Sequence, residues 1–311
     1  MKSFLFPAYF LTASLFILPL SVFCQQETDS SFIDLLDSTI MYAHSKPVLL
    51  SRQFSFTEGP AADKKGNIFF TDQPNNKIWK YDTNGRLTIF LNDAGRANGL
   101  YFDNKGNLVA CADENNQLWS IQPNGKVKVL VKDFKGYRLN GPNDVWVHPN
   151  GSVYFTDPLY QRSYWKTRKD TVAVQDVYLL SKDGKQLTTV AQNLGRPNGI
   201  IGTADGETLY VSDIKAGKIY KYHINHNGAL TGKQLFADAV ADGMTLDEKG
   251  NLYLAGNGIT VFNPQGKKLA HVTIAEKWTA NVTFGGKDHQ LLFITASQGI
   301  YALKMKVKGV R

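Results

Sequence analysis

From residue 57 onward the chain repeats one pattern six times, and no other feature restricts its fold as tightly. Each unit opens with a polar residue, usually followed by Gly. A short apolar run comes next, then a turn, then a second apolar run. The units open at Glu58-Gly59, Asn98-Gly99, Asn143-Asp144, Asn198-Gly199, Asp242-Gly243 and Asn281. Their turns fall at Lys65-Gly66, Lys105-Gly106, Asn150-Gly151, Asp205-Gly206, Lys249-Gly250 and near Lys287-Asp288. Turn dipeptides ending in Gly favour hairpins because Gly accepts positive φ. A third run such as Lys77-Ile78-Trp79-Lys80-Tyr81 usually follows, and a further turn such as Asn84-Gly85 leads to a fourth. Four strands in about 40–50 residues is the pattern of a propeller blade. Helical solenoids of similar period need sustained 3.6-residue apolar stripes, which are missing here. The reading is all-β: a six-bladed β-propeller with four-stranded blades. The sixth unit supplies three strands and ends at Leu303. The run Val48-Leu49-Leu50-Ser51 is therefore expected to return as the outer strand of the last blade and close the ring.

The N-terminal region reads differently. Residues 1–24 carry Lys2, then an apolar stretch from Phe4 to Leu20, then Val22-Phe23-Cys24, which is the layout of a cleaved export signal. This predicts a periplasmic or secreted protein. Cys24 is an alternative lipid-anchoring site, although bulky Phe23 precedes it where a small residue is usual. Residues 25–53 are expected to hold a helix over 28–44, on the partial stripe Phe32, Ile33, Leu35, Leu36 and Ile40, followed by the closing strand. The propeller domain then spans 54–311. After signal removal Cys111 is the remaining cysteine, so no internal disulfide forms, and its apolar run predicts a small buried hydrophobe. The net charge of +8 is scattered through turns without a basic stripe, which argues against nucleic acid as a partner. The sequence predicts no membrane span and leaves the oligomeric state open.

A propeller places the first strand of each blade along the central channel. The residues opening those strands therefore form one ring at one face: Glu58, Asn98, Asn143, Asn198, Asp242 and Asn281. Convergent carboxylate and amide oxygens suit Ca²⁺, and the lack of a His/Cys cluster argues against structural zinc. Asn and Asp before Gly are also ordinary turn residues, so each alone reads equally as a turn former. Glu58 is the exception, because Glu is not a favoured turn residue. Four second strands end in Asp72, Asp113, Asp157 and Asp213, which return to the same face and are expected to cap loops or orient the inner ring. The insertion 158–175, with Tyr160, Arg162, Tyr164, Trp165 and Lys166, emerges there too; it reads either as a lid or as an ordinary loop. No Gly-x-Ser-x-Gly elbow is present, and His148 lies at the far end of its strand.

Five segments together resemble the SMP-30/gluconolactonase/luciferin-regenerating-enzyme-like family, especially its bacterial gluconolactonases. They are Phe56-Thr57-Glu58-Gly59-Pro60, Arg138-Leu139-Asn140-Gly141-Pro142-Asn143-Asp144, Gly151-Ser152-Val153-Tyr154-Phe155-Thr156-Asp157-Pro158, Arg196-Pro197-Asn198-Gly199 and Ala241-Asp242-Gly243-Met244. The resemblance covers about residues 54–306. It implies a calcium ion, or another divalent cation, held by Glu58, Asn143, Asn198 and Asp242. It also implies hydrolysis of a sugar lactone, with Asp242 as general base. Arg138, Asn98, Asp157 and Tyr160 are expected at the substrate. Gly141 stands where the bacterial pattern has Ser, and Leu159-Tyr160-Gln161 stands where it has Pro-Tyr-Gly, so the substrate is less constrained than the metal. The rival readings are another ester or phosphotriester hydrolase on the same face, and a calcium-stabilised binding propeller without turnover.

Overall fold

Each repeat becomes one antiparallel sheet in a computed structural model, which describes Met1 and residues 33–35, 37–165 and 171–310. Blade one runs Thr57–Ala62, Ile68–Asp72, Lys77–Tyr81 and Leu87–Asn92 from the inside outward, and blades two to four follow the same plan. Blade six takes Thr279–Gly285, Leu291–Ala296 and Gly299–Lys304 from the end of the chain and Val48–Ser51 from its beginning. Val48 pairs with Ala302 and Leu49 with Tyr301, so the ring closes with strands from both ends. Thr57 locks the same seam. Its N–H donates to the Ser297 carbonyl at 2.8 Å and its hydroxyl to the Gly299 carbonyl at 2.8 Å.

The helix expected over 28–44 is not what the described part of that segment forms. Ile33–Leu35 is a strand on the outer edge of blade five, pairing with Lys268–Val272 and making that sheet five-stranded. A single turn at 38–40 follows, its Thr39 N–H capped by Asp37 Oδ1 at 2.8 Å. Ile40 and Met41 are then buried beside Met305 and Val307. Of the residues read as a helical stripe, Ile33 and Leu35 lie instead in an edge strand that needed a partner, and Ile40 lies in the seam between blades five and six. Residues 2–24, with Cys24 and the body of the export reading, lie outside the described residues. So do Lys166 and its neighbours to 170. Among the described residues no helix is long and apolar enough to cross a membrane.

The core lies in layers between blades. Neighbouring residues of one strand serve opposite layers, as a period of two requires. Phe69 packs toward blade two with Leu100 and Trp119, while Phe70 packs toward blade six with Phe293 and Ile300. Cys111 is fully buried in the layer between blades two and three. The far-face hairpins share a further device. In blade one, Asp63 Oδ1 accepts the Lys65 and Asn67 amides at 2.9 Å each, and Oδ2 accepts Asn67 Nδ2 at 2.8 Å. Asp103 with Asn107 and Asp247 with Asn251 repeat it.

The glycines after the ring residues have a different purpose from turn glycines. A Cβ on Gly59 would lie 2.1 Å from the Asn98 carbonyl oxygen, and one on Gly199 would lie 2.7 Å from the Asp242 carbonyl oxygen. Gly99 meets Asp144 in the same way, and Gly243 meets Asn281. Four of the six inner strands therefore nest against the ring position of the next blade, which decides against the turn-former reading of these pairs.

Gly59→Ala should consequently destabilise the fold by ~2 kcal/mol or more through backbone overlap. Gly106→Ala has φ +83 but nothing within 4 Å, and should lose only the ~1–2 kcal/mol of a left-handed residue. Denaturant midpoints of the two variants test the difference; equal losses would remove close approach as the cause.

Candidate active site

Backbone pairing fixes the height of the ring. The Asn143 N–H donates to the Thr156 carbonyl at 2.9 Å and the Asp242 N–H to the Ala255 carbonyl at 2.8 Å, so both residues are held although their strands begin just after them. Hydroxyls from second strands then tie ring to ring. Thr71 donates to the Asn98 carbonyl at 3.1 Å and Thr156 to the Asn198 carbonyl at 2.8 Å. Three of the four strand-ending aspartates hold the segment leading to their own blade's ring residue. Asp72 accepts the Ser55 and Phe56 amides, Asp157 those of Asn140 and Gly141, and Asp213 those of Gly195 and Arg196. Asp157 was expected at the substrate. It is instead fully buried, with both carboxylate oxygens on backbone amides.

Glu58, Asn98, Asn143, Asn198 and Asn281 are buried, and Asp242 is half-buried. Burial pushes the Glu58 carboxyl well up, and repulsion from Asp242 and Asp144 adds to it. Burial also pushes Asp242 up to about 6, against hydrogen bonds from Trp278 and Asn198 that favour its charge. Asn281 donates to Glu58, and Trp278 Nε1 donates to Asp242 Oδ2 at 2.6 Å. Asn198 Nδ2 donates to the Tyr160 hydroxyl at 2.8 Å, while its Oδ1 is buried without a partner. Two mutually repelling carboxylates and an orphaned amide oxygen therefore converge. A hard cation would satisfy all three. Among the described residues no group of three or more His, Cys, Asp or Glu side chains could hold a metal; four of the six ring residues are asparagines. The donor set thus fits an oxygen-seeking cation.

The insertion reaches over this ring toward blade two. Tyr160 covers Asn198, and beyond it the Arg162 Nε approaches Asp113 Oδ2 at 2.8 Å. Tyr164 donates its hydroxyl to the same oxygen, and Gln73 Nε2 does so at 3.3 Å. Asp113, the fourth strand-ending aspartate, thus anchors side chains of the insertion, where the other three anchor backbone. Arg138, expected at the substrate, has an exposed side chain, and its carbonyl accepts the Val172 amide at 2.8 Å. Arg162 is the arginine whose charge acts on Asp242. Sequence reasoning gave no role to Trp278, and Arg196 entered only as a motif residue. The one signal for Trp278 was its place three residues ahead of Asn281. A cavity of about 630 Å³ runs along the channel from ring residue Asn281 and the neighbouring Asp144 toward the opposite mouth, past Tyr101, Trp146 and Ile201. The candidate site is its polar end, where the ring carboxylates and amides converge.

The sequence profile described as the SMP-30/gluconolactonase/LRE-like region matches residues 56–298. The chain is 30% identical over 301 residues to a gluconolactonase of Zymomonas mobilis, covering 85% of this chain and 83% of that protein. It is 28% identical over 166 residues to a pentonolactonase of Haloferax volcanii, covering 50% of this chain and 53% of that one. Among solved structures, a gluconolactonase from Xanthomonas campestris superposes with a TM-score of 0.82 at 27% identity, over 89% of this chain and 96% of its own.

The buried acids set a pH dependence for chelator-treated protein. Burial pushes Asp144 from 3.8 up to about 7, alongside Asp242 at about 6. Between about pH 4 and pH 7 the folded state therefore binds more protons than the unfolded state, and stability falls as pH rises through that window. Melting temperatures across it should decline, with a shallower slope in Asp144→Asn. A rise with pH would contradict the assignment.

Proposed function

Because the chain belongs to the SMP-30/gluconolactonase/LRE-like family, we propose that it is a calcium-dependent lactonase that opens a sugar lactone. The observation that carries this reading is the convergence of buried Glu58 and half-buried Asp242 with the orphaned Oδ1 of Asn198. Glu58, Asn143, Asn198 and Asp242 would hold the cation. When bound, it supplies counter-charge and Lewis-acid polarisation of the lactone carbonyl. The relatives named gluconolactonase and pentonolactonase support a sugar lactone as substrate.

The chain's own residues do the rest. Water adds its oxygen to the carbonyl carbon, the ring C–O bond breaks, and the released alkoxide takes a proton to give a hydroxy acid that ionises. Asp242 receives the proton of the attacking water. Trp278 fixes one Asp242 oxygen through the 2.6 Å bond and so orients the carboxylate that receives the proton. Tyr160 and Arg162 shelter the mouth above them.

Hydrolysis of sugar lactones should be abolished by chelator and restored by calcium, with aromatic lactones and phosphotriesters turned over more slowly. Asp242→Asn should lower kcat by roughly 100-fold or more with metal bound. Full activity in that variant would remove Asp242 as base. Absence of chelator-sensitive turnover on every compound would favour a binding propeller, and preference for phosphotriesters would favour the other hydrolase.

Trp278→Phe keeps the aromatic bulk and deletes the donor to Asp242. Calcium affinity, measured calorimetrically, should fall by about tenfold, as expected when a partner orienting a metal ligand is lost. Unchanged affinity would make the indole a bystander.

A further inference from the structure

One cation beside the ring, Arg196, stands without a partner among the described residues. Glu58 and Asp242 face the proposed cation, and Arg162 is paired with Asp113 at 2.8 Å. Arg196 has no carboxylate partner among the described residues, and its buried Nε has no hydrogen-bond acceptor. Asp213, which holds the Arg196 amide, directs its carboxylate to backbone. Its Oδ1 accepts the Arg196 and Ala216 amides at 2.9 and 3.2 Å, and its Oδ2 accepts the Gly195 amide at 2.7 Å.

The position of Arg196 is fixed although its head is unpaired. Asp213 holds its amide, the Ile214 N–H donates to its carbonyl at 3.0 Å, and Pro197 restricts the backbone after it. The guanidinium rests 5.0 Å from the centroid of the Tyr160 ring, which also has Arg162 at 5.3 Å. Tyr160 in turn touches Asn198 through its hydroxyl. An arginine with unused donors is thus stacked on the aromatic side chain that covers the ring. Guanidinium presents its N–H groups as a planar fork that matches the two oxygens of a carboxylate or phosphate. A neutral sugar offers no such counter-charge.

We propose that Arg196 is the anion-recognition residue of this site, binding a carboxylate or phosphate group carried by the substrate or the product. The identity of the ligand rests on the lactonase reading, since ring opening converts a neutral ester into a carboxylate. The same fork would take an acidic substituent already present on the lactone.

Calorimetric titration of calcium-loaded protein separates the two sources without requiring turnover. The probes are gluconate, 6-phosphogluconate and the neutral polyol glucitol. The proteins are wild type, Arg196→Gln, Arg196→Lys and, as a charge control, Arg86→Gln on an exposed outer turn. Arg196→Gln should weaken anion binding by about tenfold or more and leave glucitol unchanged. Arg196→Lys should recover part of the loss, because it keeps the charge but not the fork, and Arg86→Gln should bind as wild type. Equal losses for both anions identify the carboxylate formed by ring opening; a loss confined to 6-phosphogluconate identifies an acidic substituent. If both anions bind Arg196→Gln as tightly as wild type, or bind wild type no better than glucitol, the proposal is overturned. Anion binding that depends on Arg196 in a protein that hydrolyses no lactone would sink the lactonase reading alone.

Discussion

Everything at the candidate site depends on how closely the six inner strands approach one another around the channel. A side chain on Gly59, Gly99, Gly199 or Gly243 would overlap the ring position of the following blade. With only hydrogen there, the opening residues of successive blades come to one level and one small circle. The consequence is electrostatic. Acids separated by nearly two hundred residues, Glu58 and Asp242, are pressed together away from water, and each raises the cost of ionising the other. The packing requirement of the fold and the polarity of the site are therefore one fact seen twice. The fold is closed mechanically at Thr57, one residue from Glu58, so the last seam and the first ring residue are fixed together.

Much of this was legible from the repeat. A unit that opens with a polar residue, strand, turn and strand can bury its faces only against copies of itself, and six copies with a borrowed outer strand give a closed ring. Ring membership followed, because the first strand of every blade must line the channel. The resemblance narrowed six candidates to Glu58, Asn143, Asn198 and Asp242, and the geometry leaves Asn198 Oδ1 without a partner among them. Glu58 was the one ring residue that stood out by type, and it is also a carboxyl pushed well above its ordinary range.

What the sequence could not reveal has a common physical origin. Pattern reading sees position within a repeat, but contacts between insertions and distant blades have no period. Asp157 and Asp113 occupy equivalent strand ends, yet Asp157 holds the Asn140 and Gly141 amides while Asp113 receives Arg162 and Tyr164. Nothing in either local sequence separates them. The difference arises because the insertion of blade three reaches across to blade two. Ile33 and Leu35 misled for a related reason. Their spacing fits a helix as well as a short strand, and the free edge of blade five decided between the two.

On the proposed reading, the same contrast would put specificity on side chains outside the ring. The glycines that follow four of the ring residues are constrained by the close approach of their strands. Tyr160, Arg162, Arg196 and Trp278 reach the ring from loops and strand starts. Tyr160 and Trp278 hydrogen-bond ring residues directly, Arg162 acts on Asp242 through its charge, and Arg196 stacks on Tyr160. Each is free to change in type without altering the blades beneath. A propeller of this kind can thus keep one polar circle and change what it would recognise by changing the few side chains above it, and the guanidinium of Arg196, without a partner among the described residues, is where that difference should first be read.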